Sequence, residues 1–381
     1  MVLLNTHPLQ ATTPYALKIW QFTDNIMAYT NIDDPSAYFQ TALYTGNGST
    51  QNITNDGNSD LKPDFVWTKA RSGASHHTNV DSSRGAGKQI YPNLTAAEET
   101  VSGVSGFLTD GFSLGSNGTA NANGVTHVGW QWKANGGTTA SNTDGTVTTT
   151  TQVNSDAGFS IVTWAGGGTG TLGHGLGATP DVWIIKNRDY AVSWAIGFSD
   201  SNILGGRSKY LSLNTAGAIS TYNNFWGTSD GQISSTTIGA AGDRTINISG
   251  NDYVGYFFKA KQGYSKFGKY VGNGAANDGP FVYLGFKPAF VMIKSTTATG
   301  GHLMWDLKRS PFNLMDDIIN AAEADAEGTN GIYGMDALSN GFKIMNTGAN
   351  NGTNQSGTTY VYYAFAENPF VTSTGIPTTA R

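Results

Sequence analysis

Residues able to carry chemistry are sparse in this 381-residue chain, which has six histidines and no cysteine. Without cysteine there is no disulfide, no thiolate metal site and no thiol nucleophile. The densest carboxylates are Asp316, Asp317, Glu323, Asp325 and Glu327, and two carboxylates flanking a sugar linkage are the minimum for glycoside hydrolysis. Adjacent acids on one helix point in different directions, so a solvated acidic loop is expected instead. His76 and His77 near Asp81 offer ordinary metal ligands, but no third ligand is spaced to complete the set. The loop from Asn55 to Asp60 has the oxygen donors calcium prefers, without the EF-hand spacing or its closing glutamate. Gly166-Gly167-Gly168-Thr169-Gly170 lacks the Lys-Ser/Thr ending of a phosphate loop and reads as a turn. No catalytic residue, metal or cofactor is therefore assigned, and the chain reads as a non-enzyme.

Tryptophan is the other chemically useful residue, with nine copies. Trp67, Trp130 and Trp183 lie in apolar stretches and read as core. Trp226 lies in the polar loop Tyr222-Asn223-Asn224-Phe225-Trp226-Gly227. An exposed aromatic platform of Tyr222, Phe225 and Trp226, able to stack on sugar rings, is the one binding site expected.

These residues sit within a block written three times. Its centre is a proline followed by β-branched and aromatic residues and, six positions on, a lysine: Pro63 to Lys69, Pro180 to Lys186, Pro288 to Lys294. Ahead of each stands aromatic-x-Gly-x-Gly, at Tyr44 to Gly48, Trp164 to Gly168 and Tyr270 to Gly274. Behind each comes an aromatic-rich strand, at His127 to Ala134, Tyr253 to Ala260 and Tyr360 to Glu367. Three anchors in one order, three times, define repeats long enough to be domains with their own cores. Arg84, Arg207 and Arg309 follow the three proline strands, and a basic residue repeated in this way suits a structural contact or loop ordering better than catalysis.

Charged residues make up 13% of the chain and glycine is abundant at 50 residues, while 38% of residues are apolar. A core is affordable, with a surface of Ser, Thr, Asn and Gly. A formal charge of -5 with 22 Lys and Arg provides no basic stripe for nucleic acid. No apolar run is long enough to suggest a membrane helix. Met1 to Pro8 lacks the basic segment and apolar length of a secretory signal.

The expected class is all-β: three tandem antiparallel β-sandwich or jelly-roll-like domains with an N-terminal arm. The arm covers 1–37, with a partly alternating stretch Ala16 to Phe22, and is expected to dock on a neighbouring subunit or a larger assembly. Repeat 1 covers 38–134, a Gly/Thr/Ser-rich linker 135–156, repeat 2 157–262, repeat 3 263–370, and an extended tail 371–381. Within the linker, Thr146 to Val153 is β-branched and has strand potential. Phe312 to Ala322 has apolar residues near helical spacing and is the best helix candidate. Asp110-Gly111, Asp230-Gly231 and Asn340-Gly341 predict turns.

The strings Asp34-Pro35-Ser36-Ala37-Tyr38-Phe39-Gln40-Thr41, Ala157-Gly158-Phe159-Ser160-Ile161-Val162 and Ala364-Phe365-Ala366-Glu367-Asn368-Pro369-Phe370 resemble a multi-repeat family of virion proteins from marine tailed bacteriophages. The resemblance begins near Asp34 and implies a structural virion protein of the tail-appendage or fibre type, assembled in the host cytoplasm. Its expected partners are other virion proteins through the arm, further copies of itself in a homo-oligomer, and a host cell-surface glycan. Nucleic acid and membrane insertion are not expected. A capsid decoration or head-fibre protein is the alternative, and a tailspike-like glycan depolymerase the second alternative.

Overall fold

The strands of the three proline phrases, Phe65–Ala70, Val182–Asn187 and Phe286–Ser295, are buried on both faces after the proline, which explains their nearly unbroken apolar sequence. Strand alternation sends their side chains two ways. Phe65, Trp67, Val182, Ile184, Phe290 and Met292 enter one shared cluster, whereas Val66, Trp183, Ile185, Val291 and Ile293 enter cores private to each repeat. The computed structural model describes residues 28–297, 300–329, 331–346 and 352–378. The expected strand over 16–22 lies outside the described residues.

Each proline strand lies between the aromatic strand of its repeat and a short outer neighbour, all antiparallel. In repeat 1 the order is Phe39–Thr45, Thr126–Trp132, Phe65–Ala70, Thr78–Asp81, and the other two repeats use the same order. A smaller second sheet covers the back of the first, as in Gln51–Ile53, Phe112–Leu114 and Val104–Phe107 of repeat 1. The fold is all-β with sandwich-like repeats; its described α-helices, Gly118–Asn121 and Ser201–Leu204, are single turns.

The three repeats close into a ring. Glu98 N donates to Arg188 O at 2.7 Å, Ile219 N to Thr296 O at 3.1 Å, and Glu327 N to Arg71 O at 2.8 Å. These bonds join repeat 1 to 2, 2 to 3, and 3 back to 1, so the seams are related by an approximate threefold axis. On that axis the main sheets face one another across aromatic side chains from all three repeats. Phe65 stacks on Tyr256 at 4.2 Å between centroids, Phe258 meets Phe365 at 5.8 Å edge-on, and Phe39 stacks on Phe365 at 5.3 Å. A remaining void of about 30 Å³ is bounded by residues of every repeat, including Trp132, Ile184 and Tyr363. The tandem arrangement expected from sequence is thus a closed ring with a common core in addition to the private ones.

The strand expected within Thr146 to Val153 is present as Thr149–Asn154, while other local expectations are corrected. The linker over 135–156 contains Ala140–Asn142 and Thr149–Asn154, which add to the edge of the repeat 2 sheet through Thr150–Asn154 opposite Phe159–Thr163. Its β-branched half found a free strand edge. The helix expected over Phe312 to Ala322 is instead the strand Asp317–Asn320, paired with Leu303–Asp306. Ile319 and Ala321 share one strand face and enter the central core, so the pairing edge overrides the near-helical spacing. The described tail is not extended: Thr372 N donates to Ile376 O and Val371 bridges Pro377, which folds it into a hairpin. Asp110-Gly111 and Asn340-Gly341 do turn hairpins, while Asp230-Gly231 lies in the 3-10 turn Asp230–Gln232.

Candidate functional site

The three aromatic-x-Gly-x-Gly motifs form loops at one end of the ring, and each is latched by a fully buried asparagine: Asn121, Asn247 or Asn354. The asparagine side-chain oxygen accepts from the N–H between the two glycines, at Asn47, Gly167 and Asn273. Its main-chain oxygen accepts from the second glycine, Gly48, Gly168 or Gly274. Those three glycines have φ of 68°, 82° and 72°, a left-handed conformation that disfavours other residues. A Cβ on the first glycine would sit 2.2 Å from Ala122 O in repeat 1, with equivalent collisions at Gly166 and Gly272. Tyr44 and Tyr270 donate their hydroxyls to the carbonyls of Ala120 and Thr353, just ahead of the latch, and Trp164 donates to Asn247 itself. The latch was missed in the sequence, although each such asparagine stands at one fixed spacing before Trp130, Tyr256 or Tyr363.

The lysines of the proline phrases lie behind these loops. Lys69, Lys186 and Lys294 are fully buried and donate to the carbonyls of Ala70, Asn187 and Ser295. Burial pushes their ammonium groups down to about 8, about 7 and about 8.

Two of the three repeated arginines are seam contacts. Arg84 donates to Asp81 at 2.6 Å and to Glu98 at 2.9 Å, and Arg188 of repeat 2 reaches the same glutamate. Arg309 repeats this with Asp306 at 2.6 Å and Glu327 at 3.0 Å, joined by Arg71 of repeat 1. Burial alone would raise the two glutamates, but hydrogen bonds and charge from the arginines hold both below the ordinary carboxylate range. Arg207 differs, pairing with the exposed Asp230. Among the described residues the seam between repeats 2 and 3 has no ion pair, and Phe198 stands in the register position of Asp81 and Asp306.

The other candidates resolve as follows. Phe225 and Trp226 are each 1% exposed, against 45% for Tyr222, so the expected platform does not form. Trp226 instead packs edge-on against Trp183 at 5.2 Å and donates to Lys209 O, because the loop folds its apolar side over the private core of repeat 2. His77 is buried, accepts from Trp67 Nε1 at Nδ1 and meets Asn320 O across the seam. Burial, with Lys69 nearby, holds it well below its usual pKa, so it is a neutral strut. Asp56 of the proposed calcium loop pairs with Lys308. Among the described residues no group of three or more His, Asp or Glu is arranged to hold a metal.

Both ends of the described chain meet the opposite end of the ring from the latched loops. Thr30 Oγ1 donates to Gln262 O, Tyr29 Oη and Phe370 N both donate to Gly285 O, and Asp33 accepts from Ser373. Gln262 precedes the strand Ser265–Val271, whose far end leads into the loop at Gly272 to Gly274. Seven residues of strand place about 20 Å between termini and loops. The sequence profile of one domain family of unknown function (DUF7483) matches residues 34–369.

The chain belongs to this DUF7483 family. The DUF7483 match begins at Asp34, the N-cap of the first 3-10 turn, and stops at Pro369, the last residue of the last strand. The family unit is therefore the whole ring, and the arm before it and the tail hairpin after it lie outside. No curated protein and no solved structure matches the chain.

Proposed function

We propose that this protein is a structural component of a bacteriophage virion, of the tail-appendage or fibre type, which presents loops for attachment to the host surface. The observation that carries this reading is the polarity of the ring. Both described chain ends lie at one pole, where an arm can reach other virion proteins, and three rigid polar loops stand at the other. A shared aromatic core makes the ring a stiff mount, and latched loops lose little conformational entropy when they bind. The resemblance to virion proteins of marine tailed phages supports the same role.

Binding without cleavage is the form of recognition we assign. Of the acids considered for hydrolysis, Glu327 is neutralised by Arg71 and Arg309, and Asp317 accepts from Thr329, so no opposed pair is built there. The approximate threefold axis favours a second reading, a capsid decoration seated on a local threefold axis of a shell. Gold-labelled antibody against repeat 3 on intact particles separates the two. Label on the tail supports host attachment; label distributed over the head transfers the assignment to decoration; absence of label from particles rejects both.

A further inference from the structure

The repeats serve as internal controls for one another, and one seam breaks their pattern. Where repeat 1 meets repeat 2, the linker strand Thr149–Asn154 pairs along the edge of Phe159–Ala165, and Gln152 plugs the seam. Its side-chain oxygen accepts from Asn135 N and Gly137 N, and its amide donates to Ser82 and Ser83. Where repeat 2 meets repeat 3, the helical turn Ser201–Leu204 fills the space. Leu204 enters the shared core, and Asn202 O accepts from Lys269 of the edge strand Ser265–Val271. Where repeat 3 meets repeat 1, the same place is a cleft of about 200 Å³. Its walls are the counterparts of the residues around Gln152: Leu307 and Lys308 replace Ser82 and Ser83, and Glu367 and Asn368 replace Ala134 and Asn135. Thr41 replaces Ile161, the residue opposite Gln152. It is 6% exposed, and its hydroxyl has no partner among the described residues.

The strand Phe39–Thr45 that borders the cleft has an open edge. Lys133 N donates to Tyr38 O and Gly46 N to Val125 O at the two ends of its ladder, so the alternate residues Thr41 and Leu43 turn their peptide groups the other way. Among the described residues no strand lies on that side. The chain ahead of it is held elsewhere, with Tyr29 at Gly285 and Thr30 at Gln262. We infer that the cleft is a docking socket for an extended peptide strand of a partner protein, which pairs antiparallel with Phe39–Thr45 and carries a basic residue towards Glu367. The model for this pairing is Thr149–Asn154 on Phe159–Ala165. Charge and position both call for the basic residue. Lys308 is paired with Asp56, whereas Glu367 has no ion-pair partner among the described residues, so the cleft keeps one unbalanced negative charge. In the filled seam Asn154 donates to Ala134 O, so a side chain in the place of Asn154 reaches the position of Glu367.

The linker supplies the probe, a fluorescein-labelled peptide copying Thr148 to Ser155 with the change Asn154→Lys, titrated with the intact chain and read by anisotropy. Saturable binding is expected in low salt, about fivefold tighter than for the Asn154→Glu peptide. Glu367→Lys in the protein, at an exposed residue, reverses that order, and an unchanged urea midpoint verifies its fold. The reversal places the peptide at this cleft and not at the edge the linker already covers. Methylating the peptide nitrogen of Gln152, which faces the strand edge, abolishes binding, whereas methylating that of Val153, which faces away, leaves it intact. Three results overturn the inference: no saturation by about 1 mM protein, a Lys/Glu preference that Glu367→Lys does not alter, or equal effects of the two methylations.

Discussion

Tyr363 of repeat 3 packs against Phe198 of repeat 2 with ring centroids 5.7 Å apart, and its buried hydroxyl has no hydrogen-bond partner among the described residues. At the other seams the corresponding residues do have partners. Tyr256 donates to Asp81 at 2.8 Å and Trp130 to Asp306 at 3.0 Å. An orphaned buried hydroxyl costs about 1–3 kcal/mol, so Tyr363→Phe raises the urea midpoint or leaves it unchanged. Tyr256→Phe, by contrast, removes a donor from a buried carboxylate and lowers it. A fall in midpoint for Tyr363→Phe comparable to that for Tyr256→Phe would show the seams to be alike.

The charged seams depend on complete sets of partners. Arg309→Met leaves Asp306 and Glu327 facing one another with their shared cation removed, and the expected loss is about 3–5 kcal/mol in equilibrium unfolding. Arg207→Met, at an exposed pair, is expected to stay within about 0.5 kcal/mol of the native chain.

The asparagine latches hold the loops that the proposed function uses. Asn354→Ala removes three hydrogen bonds, to the Asn273 N–H, the Asn273 side chain and the Ala275 carbonyl, for an expected loss of about 1–3 kcal/mol. Amide exchange should quicken first in the loop from Gly272 to Ala275, while the amides of the central strands keep their protection. Uniform loss of protection across the ring would contradict a local latch.

Acid acts on the ring in two stages with the same sign. His77 and His302 are held neutral, chiefly by burial, with pKa values well below 6.5. The unfolded chain therefore takes up protons first as pH falls through 6.5, and stability declines towards their folded pKa values. Glu98 and Glu327 are depressed below 4.5, so the stability they contribute is present above that value and is lost as pH falls through their folded pKa values. Urea midpoints measured from pH 7 to pH 3 should fall across both windows. His127 and His174, lowered to about 4 by burial, titrate in the same upper window, so His77→Gln together with His302→Gln should reduce the fall there without abolishing it and leave the lower window unchanged.

Local chemistry made the strands and the repeat legible in the sequence. Proline ahead of β-branched and aromatic residues, glycine pairs in turns, and three anchors in one order determine an all-β chain written in triplicate. The conserved order of Tyr44, Pro63 and Trp130 with their counterparts needs no tertiary information to be seen. Even the structural role of Arg84 and Arg309 follows from their repetition.

Tertiary structure decided what each repeat faces. Phe65, Val182 and Phe290 look alike in sequence whether they meet a private core or a shared one, and only ring closure sends them to a common axis. The same closure buries His77 and turns Glu98 and Glu327 into seam ligands, because their partners come from other repeats. Trp226 looked like a surface aromatic among polar neighbours, yet the loop folds it onto Trp183. Side-chain type records affinity for water or for a strand, but burial depends on which distant surface arrives opposite, and in this molecule that surface belongs largely to another copy of the repeat.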